Sequence, residues 1–256
     1  MPLDMEKVRE LRPQTEFYYF PTTGSTMTEM SRLLGSGAGA STVVVADEQT
    51  AGIGRFGRSW ISEKDAGIYT SIILRLPLAP AEMPIASLVI GLAVAEAIEK
   101  SSHLACDLRW PNDVLIADRK VAGILTQLVD EDIIAGVGIN VNNTAFPDDL
   151  RTPATSLLLA SGGRPQNRER LLAKLLDSLD SFSDLLVSQG SGAILRTFAA
   201  ASTYVMDRRV IVEESGVRGT TAGLDQQGFL LVRSHDSGVM RRISSGGIRP
   251  DPEASV

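Results

Sequence analysis

Hydrophobic and polar positions along this chain follow two periods, and the periods assign its elements. The aromatic run Phe17-Tyr18-Tyr19-Phe20, closed by Pro21, predicts a short strand. Thr22-Thr23-Gly24-Ser25-Thr26 then supplies the loop and cap of a helix from Thr26 to about Leu34, which stops in the glycine-rich stretch Gly35 to Gly39. The β-branched run Thr42 to Ala46 and the apolar stretch Ile68 to Leu76 predict buried strands, with the long loop Gln49 to Gly67 between them. Ile85 to Lys100, dense in Ala, Leu and Glu, predicts the strongest helix, and three strands follow at Asp107 to Trp110, Val121 to Val129 and Ile133 to Val141. Helical spacing returns over Asn167 to Ser188 and again near Ala193 to Ala200.

After Ser202 the texture changes. Arg209 to Glu213, Arg218 to Leu224, Gly228 to Arg233 and Val239 to Ile243 are short β segments separated by Gly, Asp and Ser turns, the pattern of a small barrel. A boundary near Thr203 divides a mixed α/β (α+β) domain, 1–203, from an all-β domain, 204–256.

Composition narrows the class. The 256 residues, 43% hydrophobic and 22% charged, suffice for the core of one large domain plus a small one. A formal net charge of -6 argues against a surface given over to nucleic acid, so no DNA partner is expected. The single cysteine, Cys106, allows neither an intramolecular disulfide nor a thiolate cluster, and fits a reducing, cytoplasmic compartment. The first residues, Met1 to Lys7, are polar where a secretory signal needs an apolar core, so no export is expected. The longest apolar stretch, Pro84 to Ile98, is interrupted by Ser87 and Gly91 and falls short of the ~20 residues of a membrane span. It reads as a core helix, with no membrane partner. His103 and His235 stand in no metal-ligand spacing, so no metal site is predicted.

Three segments carry candidate chemistry. The loop Gln49-Thr50-Ala51-Gly52-Ile53-Gly54-Arg55-Phe56-Gly57-Arg58-Ser59-Trp60 combines glycines that let backbone N–H groups approach an anion, arginines that neutralise phosphate or carboxylate, and an indole that offers a purine a flat face. It follows neither the Walker pattern nor a strand-coupled G-x-G-x-x-G, and taken alone is equally a solvated flexible loop. Arg109-Trp110-Pro111-Asn112-Asp113, followed by Arg119-Lys120-Val121-Ala122-Gly123-Ile124-Leu125, fixes a chain direction and presents polar groups at a turn. Lys120 opens the following strand and can point into a site, although a lysine beside a hairpin turn is more often solvated. Gly136-Val137-Gly138-Ile139-Asn140-Val141 is a buried strand in which the glycines permit close approach and Asn140 can bond a ligand.

The order and spacing of these three segments resemble the biotin protein ligase family, over roughly Phe17 to Ile248. The resemblance implies a mixed-sheet catalytic domain of the biotin/lipoate ligase type followed by a small C-terminal Src-homology-3-like β-barrel. It implies ATP, Mg²⁺ and biotin as the small molecules used, and formation of biotinyl-5′-AMP and pyrophosphate. The acceptor it implies is a lysine of a biotin carboxyl carrier protein domain, and it allows a homodimer. Residue by residue, Ser25, Thr26, Met27 and Gln49 fall at biotin contacts, as do Gly52, Ile53, Gly54 and Arg55 of the closing loop. Arg58, Trp60, Asn112, Asp113 and Asn140 fall on the ATP side, and Lys120 lies near both the biotin carboxylate and the α-phosphate, with Lys120 and Arg55 the catalytic pair. Two positions depart from the family: Ile53 stands where the loop often carries another arginine, and Arg109 replaces the usual lysine.

The nearest rival is a lipoate ligase, which shares the adenylation logic. A repressor that reads operator DNA would need a helix-turn-helix domain, for which about two dozen residues before Ser25 are too few; the expectation is therefore a monofunctional ligase. A ligand-binding protein without turnover is the third reading, and the presence of Lys120, Arg55 and Arg58 weighs against it.

Overall fold

The computed structural model describes residues 1–254. The chain runs α1 (Met5–Leu11), β1 (Glu16–Phe20), α2 (Thr26–Gly35), β2 (Thr42–Ala46), β3 (Ile68–Leu74), α3 (Met83–Ser102), β4 (Asp107–Arg109), β5 (Asp113–Ile116), β6 (Arg119–Val129) and β7 (Asp132–Ile139). The helices α4 (Leu157–Ala160), α5 (Arg168–Gln189) and α6 (Ser191–Ala200) follow, and then the strands β8 (Met206–Val212), β9 (Arg218–Leu224), β10 (Leu230–Ser234), β11 (Met240–Ile243) and β12 (Ile248–Pro250).

The first sheet has the order β1-β2-β3-β7-β6-β5-β4, parallel at β1-β2 and antiparallel elsewhere. Alternation along each strand decides its two faces. Val43, Val45, Ile72 and Ala135 join the large core under α3 and α5, whereas Val44, Ile73 and Ile134 join a smaller cluster with Met27, Met30 and Leu33 of α2. Both faces are covered, so β2 and β3 are buried at every position and read as continuous apolar runs.

Helix α3 is long and apolar enough to cross a membrane by length and composition. From Ile85 to Ile98 it is buried at every position but Glu96, and it packs in the large core with α5, α6 and the sheet. A helix apolar all round is one buried all round. The C-terminal residues form a five-stranded antiparallel sheet, ordered β11-β10-β9-β8-β12. It is seated on the larger domain through a turn at Gly228, whose φ of 85° suits glycine and whose missing Cβ leaves room for the Ile85 side chain. Trp110, 3% exposed, donates its Nε1–H to the Gly228 carbonyl at 2.9 Å from the other side of that contact.

Differences from the pattern-based expectation lie in short elements. Helix α1, capped by Asp4 through Lys7 N–H, was not expected from a polar N-terminal stretch; Met5 and Val8 give it a buried face. Strands β5 and β12 have four and three residues, too few for a period to show. The expected strands ending at Leu76 and Trp110 stop earlier, at Leu74 and Arg109.

Candidate functional site

The site lies on the α2 side of the first sheet, and its floor is set by strand parity. Gly136 and Gly138, two residues apart on β7, face the same way, and Gly138 pairs in register with Gly123 of β6. A Cβ on Gly138 would lie 2.4 Å from the Trp60 indole, one on Gly123 would lie 2.8 Å from it, and one on Gly136 would lie 2.7 Å from Met27 Sδ. The three glycines thus let the indole and the thioether rest directly on the backbone. Trp60 Nε1 has no hydrogen-bond partner there, and neither does the buried hydroxyl of Ser25.

Lys120 reaches this face because of a bulge. Opposite β5, Leu115 pairs with Lys120 but Val114 pairs with Ala122, so β6 carries one extra residue, Val121. The insertion reverses parity and brings Lys120 to the same side as Gly123, where a Cβ on Gly123 would lie 3.1 Å from Nζ. Segment 153–155 runs beside the bulge, with Lys120 N–H on the Pro153 carbonyl at 2.8 Å and Thr155 N–H on the Lys120 carbonyl at 2.9 Å. The solvated lysine that a hairpin turn usually implies is therefore not what forms. Nζ sits 2.6 Å from Asp113 Oδ1 and 5.5 Å from the centre of the Trp60 ring.

Asp113 is held on its other oxygen by Arg109, 2.5 Å away. Burial pushes the Asp113 carboxyl up, but Lys120 and Arg109 outweigh it and leave the group below the usual carboxylate range. Arg109, itself 5% exposed, also donates to Thr152 Oγ1 and supports Asp113 from behind. Arg55 donates to Asn112 Oδ1 at 3.1 Å and to the Gly246 carbonyl at 2.9 Å, so one guanidinium links the loop, the β4–β5 turn and the C-terminal sheet. Burial lowers its pKa from the ordinary arginine value, against the opposing charge of Asp113. The loop turns over at Phe56 and Gly57, both left-handed with φ of 59° and 70°.

Two cavities meet at these groups. The larger, about 450 Å³, is lined on the site side by Arg55, Arg58, Asn112, Asp113, Lys120 and Asn140. The smaller, about 50 Å³, is lined by Thr26, Met27, Gln49, Ile53 and the glycines of the floor. Gly54, Arg55, Trp60, Asn112 and Lys120 belong to both. Gln49 Oε1 accepts from Thr26 N–H at 2.8 Å and from its hydroxyl at 3.1 Å, while Gln49 Nε2 donates to Ser62, which orients the amide at the edge of the smaller cavity. A small-molecule pocket is typically ~300–1,000 Å³, a range that the larger cavity meets and the smaller does not.

The chain is similar to known proteins over most of its length. Residues 19–143 match the Biotin/lipoate A/B protein ligase family. The biotin--[acetyl-CoA-carboxylase] ligase of Mycobacterium tuberculosis is 34% identical over 218 residues, 82% of this chain and 80% of that protein. The bifunctional ligase/repressor BirA of Bacillus subtilis is 32% identical over 90% of this chain and 72% of its own length. The chain belongs to the biotin protein ligase family. Among solved structures, the biotin protein ligase from Aquifex aeolicus in complex with biotin and ATP superposes with a TM-score of 0.78 at 29% identity, covering 91% of this chain and 97% of that one.

Against the positions assigned from the family pattern, the structure gathers most residues and separates a few. Ser25, 3% exposed, and Gly52 line neither cavity; a Cβ on Gly52 would strike the Trp60 carbonyl at 2.5 Å, so this glycine lets the two strands of the loop approach at the Trp60 backbone. Ile53, where family members often carry arginine, is 45% exposed and presents only an apolar chain to the smaller cavity. Asn140 lines the larger cavity, but its amide nitrogen donates to the Thr155 carbonyl at 3.0 Å and helps fix the segment beside Lys120. Two residues that the pattern did not single out also line the larger cavity: Arg151 of the 144–156 loop and Glu213 after β8. Neither sits in a motif of its own, and only the fold brings Glu213 to both Arg58 and Arg151.

Proposed function

We infer that this chain is a biotin protein ligase that activates biotin with ATP. The observation that carries the reading is the shared wall: a small glycine-floored cavity and a larger one that also holds Arg58 meet at Lys120 and Arg55. A carboxylate in the first and an α-phosphate in the second would lie against the same two cations. A carboxylate oxygen attacks the α-phosphorus, the α–β bridging bond breaks, and pyrophosphate leaves. The lysine amine of an acceptor then attacks the acyl carbon of biotinyl-5′-AMP, forming an amide and releasing AMP.

In this reading Thr26, Met27, Gln49, Ile53 and Gly54 enclose biotin, with Ser25 and Gly52 supporting them from outside the cavity, and Arg58, Trp60, Asn112, Asp113 and Asn140 serve the nucleotide. Lys120 and Arg55 offset the charge that opposes the approach of two anions. Asp113 keeps Lys120 aimed across the glycine floor. Among the described residues no group of three His, Cys, Asp or Glu is assembled for a resident ion. In this reading Mg²⁺ enters as part of the Mg-ATP substrate, which suits an ion that keeps most of its ligands as phosphate oxygens and water. The acceptor is the carboxyl carrier domain of a biotin-dependent carboxylase, and a cytoplasmic setting fits the lone thiol.

The test is pyrophosphate release by the purified protein with Mg-ATP and biotin, lipoate or no acid, followed by the mass of an added carrier domain. Biotin-dependent release with a biotin-sized mass gain supports the reading; release with lipoate alone moves the chain to the lipoate branch. In Lys120→Ala, adenylate formation falls by about 10²-fold or more, the usual loss for one transition-state donor. Adenylate formation by that variant at the parental rate contradicts the role of Lys120.

A further inference from the structure

We propose that Arg151 is a second pyrophosphate-binding cation of the nucleotide cavity, and that Glu213 of the C-terminal domain is the exchangeable counter-charge that holds Arg58 and Arg151 in place. The inference rests on the nucleotide reading of the larger cavity and adds residues that reading did not assign.

Glu213 follows β8, and its backbone is fixed by a bond from its N–H to the Gly247 carbonyl at 2.9 Å. Its side chain is 8% exposed and stands between two guanidinium groups, Arg151 Nε at 3.3 Å from Oε1 and Arg58 Nη1 at 3.7 Å from Oε2. Both arginine side chains are about half exposed, at 48% and 47%, and all three residues line the larger cavity. Among the described residues neither guanidinium has another acidic partner within salt-bridge distance.

Cohesion does not account for this cluster. Half-exposed ion pairs contribute little, whereas removing a carboxylate from water is costly. The separations are also long beside the ~2.7–2.9 Å of a tight charge-assisted bond. Two arginines that line the cavity are thus held loosely, spaced by one carboxylate. A guanidinium presents donors in a fork that matches two phosphate oxygens. A pyrophosphate group carries more charge and more oxygens than Glu213 and takes over both forks when Mg-ATP enters.

The same placement acts on the product. Once the α–β bond has broken, Glu213 lies beside the free pyrophosphate as a like charge, competing for the same two cations and favouring release. Lys120 and Arg55 at the shared wall hold the α-phosphate end, so the cavity is divided between the part of ATP that stays and the part that leaves.

The experiment titrates inorganic pyrophosphate against the full-length enzyme as an inhibitor of adenylate formation, with Michaelis constants for ATP and biotin. Arg151→Ala is expected to raise the KM for ATP and the pyrophosphate inhibition constant together by about tenfold, a loss of about 1.4 kcal/mol, with the KM for biotin unchanged. Arg151→Lys restores part of both. Glu213→Gln lowers the inhibition constant, because the competing charge is gone. Unchanged constants for ATP and pyrophosphate in Arg151→Ala, or a raised inhibition constant in Glu213→Gln, overturn the proposal while leaving biotin ligation intact. A wild-type protein that releases no pyrophosphate with any acid overturns the nucleotide reading itself.

Discussion

Asp113 carries the electrostatics of the shared wall, because among the described residues it is the one carboxylate placed between Lys120 and Arg109. Its folded-state pKa is depressed, so its contribution to stability is fully present above the unfolded value of about 3.9 and is lost as pH falls through the lower folded value. Asp113→Asn leaves two largely buried cations facing each other without their partner. The expected cost at pH 7 is about 3–5 kcal/mol, shrinking as the parent is acidified below about pH 4. Urea unfolding of both proteins between pH 3 and 7 reads this directly; equal stabilities at pH 7 would show that the carboxylate is dispensable. The identities at this scale were legible in the sequence, since the loop with its arginines and the segment from Arg109 to Leu125 stood out by composition. The aim of Lys120 was not. A lysine next to a hairpin turn gives no sign of a bulge that depends on how β5 and β6 pair.

At the scale of elements, β7 does two jobs through parity alone: one face packs Ile133, Ala135 and Val137 into the large core, and the other exposes Gly136 and Gly138 as a floor. Gly138→Ala places a methyl where the indole lies, 2.4 Å away. The predicted result is a folded protein with biotin binding weakened by about tenfold or more, about 1.4 kcal/mol, measured by titration calorimetry; parental affinity would mean that Trp60 does not need that seat. Long elements were readable within a few residues, α3 from its length and density of helix formers and α5 because its apolar positions repeat over many turns. Strands β5 and β12 were not, being too short to repeat anything, and their existence follows from partners distant in sequence.

Across the whole molecule, the cohesion of the larger domain includes a buried ion pair that involves neither Lys120 nor Arg55. Arg168 at the start of α5, 4% exposed at its side chain, meets Asp47 at 2.9 Å just after β2, and Asp47 also accepts from Leu3 N–H and from the Tyr19 hydroxyl. Arg168 donates further to the carbonyls of Gly67 and Met1, so the N-terminal segment, β1, the end of β2 and α5 share one knot. Arg168→Ala strands a buried carboxylate two residues before Gln49, with an expected loss of about 3–5 kcal/mol in chemical denaturation; a loss under about 1 kcal/mol would place the pair among the marginal ones. The chain has two tryptophans, and the fold gives each a different post. Trp110 is bonded to Gly228, where the C-terminal sheet meets the larger domain, and Trp60 rides on the loop above the glycine floor. The intrinsic fluorescence of this protein therefore has two separable channels. With Trp110→Phe the emission follows the loop alone, with Trp60→Phe it follows the seating of the C-terminal sheet, and the order in which the two signals change after ligand mixing dates one motion against the other.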